Sequence, residues 1–255
     1  MYRHKLITDY IKTCVGVFIL GYCLILSPFV LASGAKLNNK GHDASSFIMA
    51  ERLVKRVRNK AEFSCVDCHG ETGNIIDSTD HTPRLAGQDM SYLYDQLINF
   101  KQGRRPTKEM DGILAGYSDQ ELQLMAHYYA SQTVNVSSDF DVTIDPILPH
   151  TKVDDDNWAT EGKRLFMEGD KVRGIIACQN CHGTYGEGRI IGLDKAPKIT
   201  AQHASYTRKT LKQYATNERT TDNIYNNVMQ DIAKTLNEED IRNLAAYIQR
   251  LRDPK

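Results

Sequence analysis

The chain has 255 residues, of which 41% are hydrophobic and 25% are charged, and this ordinary globular composition excludes disordered and fibrous proteins. Its 32 basic and 32 acidic residues give a formal net charge of zero, which argues against a nucleic-acid partner because such binders are usually basic. Six cysteines are too few for a disulfide-dense scaffold, so their placement is more informative than their number.

Residues 1–35 have the organisation of an export signal. A basic start precedes an uncharged run over 13–35, in which an apolar stretch is broken by Pro28 and followed by small residues. This order predicts a cleaved signal peptide, and the run is also long enough for the alternative, an uncleaved membrane anchor. In both cases we expect the rest of the chain in the periplasm, and Cys14 and Cys23 take no part in its chemistry.

The other four cysteines form two copies of the motif C-x-x-C-H. The copies consist of Cys65, Cys68 and His69 and of Cys178, Cys181 and His182. This motif is typical of covalent haem attachment, because two thiols one helical turn apart can add to the two vinyl groups of a haem and the next histidine can bind its iron. A thioredoxin-like redox site would need an α/β pattern that the chain lacks, and a single zinc site would need closer cysteine pairs. The sequence therefore predicts two haem c groups, with these cysteines as attachment residues and these histidines as axial ligands.

The sequence that follows each motif is repeated. Pro83-Arg-Leu-Ala-Gly-Gln-x-x-x-Tyr92 matches Pro197-Lys-Ile-Thr-Ala-Gln-x-x-x-Tyr206, and the first unit lacks five residues between Arg105 and Met110. Such self-similarity indicates two homologous units in tandem. The glycines Gly87 and Gly103 of the first unit are replaced by Ala201 and Asn217 in the second, which leaves the geometry of those loops open.

Apolar residues recur at helical spacing throughout both units. The spacing predicts helices around 47–57, over 88–101 and 119–130 in the first unit, and over 158–167, 202–214 and 237–251 in the second. The proline-containing, acidic segment 132–157 reads as a linker. We therefore predict an all-α protein with a first domain at 36–131, an acidic linker at 132–157 and a second domain at 158–255.

The second axial ligand of each haem decides the function, because an iron with two protein ligands transfers electrons while an open iron can bind a reactant. Met110 and Met229 occupy matching places before the last helix of their units, and no other pair of methionines matches in the repeat. A thioether is a soft, neutral ligand that favours ferrous iron. The sequence therefore predicts these two methionines as ligands. The remaining histidines have no histidine counterpart in the repeat and are expected to be ordinary surface or core residues: His81, His127, His150 and His203.

Two further pairs of matching residues are candidates to support the haems. The carbonyls of Pro83 and Pro197 could accept a hydrogen bond from the Nδ1–H of the axial histidines, with ordinary loop prolines as the alternative. Arg105 and Arg219 could pair with haem propionates, with solvated surface arginines as the alternative. Tyrosines 92 and 206 are expected to be core aromatics.

These motifs resemble the tandem dihaem class I cytochromes c of the cytochrome c-four (c4) family over nearly all of residues 44–253. The resemblance implies two all-α class I cytochrome c domains, each wrapped around a covalent haem with histidine and methionine ligands. It also implies electron transfer among redox proteins of the respiratory chain, with a membrane cytochrome complex as donor and a terminal oxidase or reductase as acceptor.

Other functions remain open at this level. The duplicated methionines favour an electron carrier over a dihaem enzyme of the cytochrome c peroxidase kind, which needs an open iron. An electron-transfer subunit of a dehydrogenase or oxidase complex would use the same chemistry. No catalytic residue is expected if the protein is a carrier.

Overall fold

The computed structural model describes residues 44–56, 64–75, 81–135, 157–191, 194–221 and 227–252, all within one compact unit, His42–Lys255. The predicted export signal and most of the predicted linker lie outside these residues. Among the described helices, none has both the length and the apolar character needed to cross a lipid bilayer.

The described residues form nine helices and one short hairpin. In chain order the elements are α1 (Ala44–Val54), α2 (Cys65–His69), α3 (Met90–Lys101), α4 (Asp119–Ala130), α5 (Asn157–Glu168), α6 (Gln179–His182), β1 (Arg189–Ile191), β2 (Asp194–Ala196), α7 (Ala204–Ala215), α8 (Val228–Lys234) and α9 (Glu238–Arg250). Strands β1 and β2 pair antiparallel with Arg189 opposite Ala196. Because each strand has only three residues, the architecture is all-α, as the sequence predicts.

The six helices predicted from periodicity are present as α1, α3, α4, α5, α7 and α9, with ends within about three residues of the expected ones. Helix α8 and the hairpin were not predicted. Helices α1 and α3 both contact α4, and α5, α7, α8 and α9 form a second group of contacts. The exact boundaries of the two predicted domains stay a prediction, because residues 136–156 are not described.

The first group packs around α4. Ser118 caps this helix by accepting from the Glu121 N–H at 3.2 Å, and the Glu121 carboxylate accepts in return from the Ser118 N–H at 2.8 Å, so the start of the helix is fixed. Its buried face contacts α1 and α3. The core of this group comprises Ala50, Leu53, Val54, Leu93, Leu114, Tyr117, Leu122, Met125, Ala126, Tyr128 and Tyr129.

The second group packs around α9, which crosses α5 closely. Asn237 caps α9 by accepting from the Asp240 N–H at 2.9 Å. The close crossing depends on Gly162, because a Cβ there would meet the backbone carbonyl of Asn243 and lie 2.9 Å from Tyr247 Cβ. In α1 of the first group, the fully buried Ala50 precedes the buried Leu53 by three residues, as Gly162 precedes the buried Leu165 in α5.

The loops in which Ala201 and Asn217 replace glycine keep the glycine conformation. Gly87 has φ +65° and Ala201 has φ +56°, while Gly103 has φ +68° and Asn217 has φ +58°. All four residues are therefore in the left-handed region, which costs a residue with a Cβ about 1–2 kcal/mol. The second group keeps the same turns as the first and bears this strain at Ala201.

Candidate haem sites

All eight residues predicted to hold the haems line one cavity of about 1360 Å³. The cavity runs through both helical groups and brings together Cys65, Cys68, His69, Met110, Cys178, Cys181, His182 and Met229. Ligand pockets usually have volumes of about 300–1,000 Å³, so this cavity has room for more than one large group. Its lining is repeated: each helical group contributes two thiols, one imidazole and one thioether.

Short helices position the cysteines and histidines. Helix α2 begins after Ser64, whose N–H and hydroxyl both donate to the Asp67 carboxylate, at 2.6 and 2.7 Å. The first cysteine of each motif is desolvated, which raises the pKa of Cys65 to about 11 and that of Cys178 to about 12. Both thiols are therefore neutral at physiological pH, and none of the four motif cysteines forms a disulfide.

A proline carbonyl orients each motif histidine, which is one of the two alternatives that the sequence leaves open. His69 Nδ1 lies 3.1 Å from the Pro83 carbonyl oxygen, and His182 Nδ1 lies 2.9 Å from that of Pro197. A carbonyl can only accept, so Nδ1 carries the proton in both rings and Nε2 has the lone pair that can bind a metal. Burial lowers the pKa of His182, partly opposed by its bond to Pro197, and so favours this neutral form.

The two methionines reach the cavity from different local structures. Met229 is the second residue of α8, whereas Met110 lies among consecutive turns over 108–116. Both are partly buried and line the cavity together with the motif histidine of their own group. The arrangement gives each group an imidazole nitrogen and a thioether sulfur as candidate ligands for one iron.

The two arginines that the sequence offers as candidates for haem contacts are buried rather than solvated. Arg105 is 9% exposed and Arg219 is 3% exposed, and each stacks on an aromatic ring of its own group. Neither forms an ion pair with a carboxylate among the described residues. Buried cations need a partner, and the propionates of a haem in this cavity would supply it.

The same arginines join the two helical groups. Arg105 Nη2 donates to the Tyr206 hydroxyl at 2.9 Å, and Arg219 Nη2 donates to the Tyr92 hydroxyl at 2.9 Å. Burial alone would raise the pKa of Tyr206, but the two guanidinium charges outweigh it and lower that pKa. The two tyrosines are thus polar contacts between the groups, and the expectation that they are only core aromatics was incomplete.

Sequence reasoning also missed two glutamines. Gln88 and Gln202, each 8% exposed, line the cavity and reach across to the other helical group. The signal was present in the repeat, since both glutamines belong to the matched stretch before Tyr92 and Tyr206. A buried glutamine needs hydrogen-bond partners, so the recurrence of this glutamine in both units indicates a polar contact.

The cavity fits two haem c groups better than the alternatives. Each helical group has the attachment thiols, an imidazole with its nitrogen roles fixed, a soft thioether and a buried guanidinium. In the described part of the chain, no three His, Cys, Asp or Glu side chains cluster as a metal site. The two cysteine pairs therefore do not form a single zinc site.

Comparisons with known proteins agree with this chemistry. The sequence model of the cytochrome c family matches residues 159–252. The cytochrome c4 of Pseudomonas aeruginosa is 35% identical over 187 residues, which is 73% of this chain and 83% of that protein. A thiosulfate dehydrogenase electron acceptor of Thiomonas intermedia is 31% identical over 62% of this chain and 66% of that protein. The crystal structure of reduced cytochrome c4 from Pseudomonas stutzeri superposes with a TM-score of 0.62 at 34% identity, covering 74% of this chain and 93% of that one.

The match to cytochromes c4 extends over both helical groups and most of the relatives' length. It therefore covers both haem-attachment motifs, and it carries with it covalently bound haem c and an electron-carrying role without enzymatic turnover. The chain belongs to the cytochrome c4 family, the dihaem c-type cytochromes that carry electrons.

Proposed function

We propose that this protein is a periplasmic carrier that takes electrons from one respiratory redox protein and delivers them to another. The donor in this proposal is a membrane cytochrome complex and the acceptor is a terminal oxidase or reductase. The N-terminal segment 1–35 directs export, and it anchors the protein to the membrane if it is not cleaved. Residues 36–131 and 158–255 are the two haem domains, and 132–157 joins them.

Each domain holds its haem with residues of one helical group. In the first, Cys65 and Cys68 form the thioether bonds, and His69 and Met110 bind the iron. In the second, the same roles fall to Cys178, Cys181, His182 and Met229. The haem supplies reversible one-electron exchange. The protein supplies a ligand pair that suits both oxidation states, excludes water and limits the rearrangement that accompanies each transfer.

The single observation that carries the proposal is that two complete ligand sets line one cavity. A thioether in each set closes the position that an enzyme would keep open for a reactant. Because both sets line the same cavity, two haems held there would lie close to each other, and we expect an electron that enters one domain to pass to the other within the protein.

A second candidate is that the chain serves as the electron-accepting partner of a sulfur-compound dehydrogenase. The observation in its favour is the 31% identity to the thiosulfate dehydrogenase electron acceptor of Thiomonas intermedia. The haem chemistry would be the same, and only the donor would differ: a dehydrogenase in place of a membrane cytochrome complex.

The test is spectroscopic and then biochemical. The purified protein should carry two haems by mass, the ferrous form should resist carbon monoxide, and the ferric form should show the weak band of methionine bound to iron. Periplasmic extracts should contain it with the N-terminal segment removed, or the membrane fraction with the segment retained. Reduction by membranes supplied with a quinol supports the first candidate, whereas reduction only by a dehydrogenase and its sulfur substrate supports the second. Ready binding of carbon monoxide to one wild-type ferrous haem would contradict both.

A further inference from the structure

The two glutamines Gln88 and Gln202 form reciprocal contacts between the domains. They occupy matching positions of the repeat, each two residues before the first residue of helix α3 or α7. Each side chain crosses to the other domain and binds the backbone of the residue that follows the haem-facing proline there. The Gln202–Arg84 contact is buried, since both residues are less than a tenth exposed, and the Gln88–Lys198 contact is partly buried.

Each contact uses both ends of the amide. Gln202 Oε1 accepts from the Arg84 N–H at 2.9 Å, and its Nε2 donates to the Arg84 carbonyl at 3.0 Å. Gln88 Oε1 accepts from the Lys198 N–H at 2.9 Å, and its Nε2 donates to the Lys198 carbonyl at 2.7 Å. Two hydrogen bonds to the same residue fix the orientation of that backbone segment relative to the glutamine as well as its distance from the glutamine.

The N–H bound by each glutamine belongs to the same peptide unit as the carbonyl that orients the histidine. In the first domain, this unit consists of the Pro83 carbonyl, which accepts from His69, and the Arg84 N–H, which donates to Gln202. The Pro197–Lys198 unit does the same for His182 and Gln88. A continuous chain of hydrogen bonds therefore runs from a glutamine of one domain to the histidine of the other.

Such a chain affects the iron by a known physical route. A hydrogen bond accepted from a peptide N–H polarises that peptide and makes its carbonyl a stronger acceptor. A stronger acceptor at Nδ1–H makes the imidazole a stronger electron donor to its metal. Greater donation stabilises ferric iron, so it lowers the reduction potential of that haem.

We propose that Gln88 and Gln202 are positioning residues that act across the domain boundary, each setting the hydrogen bond of the other domain's axial histidine and thereby the electronic state of the other domain's haem. The proposal rests on the assignment of His69 and His182 as iron ligands. The proposal couples the two haems through the protein, because a substitution of Gln202 in the second domain changes the reduction potential of the first haem.

The experiment uses the holoprotein with one haem opened. In Met110→Ala, the first ferrous haem becomes five-coordinate, and its iron–histidine stretching band in the resonance Raman spectrum reports on His69 alone. Gln202→Met, which keeps the volume and removes both hydrogen bonds, should lower the frequency of this band. Gln88→Met is the matched control and should leave it unchanged. In Met229→Ala the pattern should reverse, with Gln88→Met lowering the His182 band and Gln202→Met leaving it unchanged.

A second measurement, of the reduction potentials, uses the protein with both methionines intact. There, Gln202→Met should raise the reduction potential of the first haem, and Gln88→Met that of the second. Gln202→Glu keeps an acceptor for the Arg84 N–H and loses only the donor, so it should not lower the His69 band; it also serves if Gln202→Met fails to fold. If Met110→Ala does not yield a five-coordinate haem, the assignment of Met110 as a ligand is wrong. The reduction potentials of the two haems then provide the only test of the role of the glutamines.

The pattern of shifts distinguishes this role from simple attachment of the domains. If each glutamine shifts only the haem of its own domain, or if both substitutions shift both haems equally, the inference is overturned. It is also overturned if both proteins fold with two haems and neither band nor potential moves.

Discussion

The two helical groups support Met110 and Met229, the proposed axial ligands, with different backbone structures. Met229 lies in the first turn of α8, whereas the backbone around Met110 forms consecutive turns, with hydrogen bonds such as that from the Asp111 N–H to the Thr107 carbonyl at 3.0 Å. In a helix the first turn is continued by the hydrogen bonds of the next turn, whereas successive non-helical turns lack this regular i to i+4 ladder. The first domain, which has the five-residue deletion, thus keeps its thioether at the cavity but holds it with a less regular backbone. The proposed ligand is a methionine in both helical groups, but we expect Met110 to leave the iron more easily than Met229.

The domains also differ in how they form the same turns. Gly87 and Gly103 adopt positive φ without strain, and Ala201 and Asn217 adopt it in the second domain with a Cβ present. Asparagine tolerates this region because its short side chain can bond locally, but alanine gains nothing there. The packing around Ala201 in the second domain therefore holds its backbone at a positive φ that alanine disfavours.

The largest effect expected from any substitution is the loss of one haem. Cys65→Ser combined with Cys68→Ser should lower the mass of the denatured protein by one haem, because no thioether bond can then form in the first domain. The same pair of changes at Cys178 and Cys181 should remove the other haem. If either double variant loses both haems, the domains cannot be loaded independently.

The difference in methionine support should appear in competition for the iron. If the turns around Met110 open at a cost about 1.4 kcal/mol lower than α8, exogenous imidazole should replace Met110 at about tenfold lower concentration than Met229. Titration of the ferric protein, followed at the methionine-to-iron band, should then show two steps. Met110→Ala should abolish the first step and Met229→Ala the second, and equal affinities would show that the deletion has no consequence for the ligand.

A smaller effect is expected when the first domain receives the turn residues of the second. Gly87→Ala should destabilise the protein by about 1–3 kcal/mol, because a Cβ there adds strain at positive φ and would lie 2.9 Å from Val134 Cγ2. Gly103→Asn should change stability by less than about 1 kcal/mol, since nothing lies within 4 Å of a Cβ at that position. Denaturant unfolding of the two variants beside the parent measures both, and equal losses would contradict the argument.

The smallest effect concerns the pH dependence of an ion pair in the second domain. Asp170 accepts from Arg173 Nε at 2.8 Å, and this bond holds the pKa of the Asp170 carboxyl below its usual value of 3.8. A lowered folded-state pKa contributes stability above the unfolded-state value, and this contribution is lost as the pH falls below about 4. Asp170→Asn should therefore lower the melting temperature slightly at pH 7, and the difference from the parent should shrink below pH 4. A difference that stays constant down to pH 3 would assign the effect to the altered side chain rather than to its charge.

Much of the fold could be predicted from local patterns. Helices α3, α4 and α9 have long apolar periodicity and recognisable caps, so their positions follow from neighbouring residues. Helix α8 has only seven residues and the hairpin strands have three each, which is too short for a periodic signal. The haem motifs could be located because their chemistry fixes the spacing of cysteine and histidine.

The contacts between the domains could not be predicted in the same way. The roles of Gln88 and Gln202 depend on backbone groups more than 100 positions away, and no local pattern encodes such a pairing. Arg105 and Arg219 were identified as candidates, but only the fold shows that they are buried and reach tyrosines of the other domain. The repeat was the one sequence feature that could have drawn attention to these residues.

The reciprocity of these contacts bears on the origin of the chain. Gln88 binds Lys198 while Gln202 binds Arg84, and Tyr92 binds Arg219 while Tyr206 binds Arg105, so each contact is repeated with the two partners exchanged. That exchange is the defining property of the interface in a homodimer with twofold symmetry. A single-domain ancestor could therefore have formed the same interface between two identical copies. Fusion of the copies would then remove the concentration dependence of their association and leave each half free to diverge, as the shortened loop before Met110 shows.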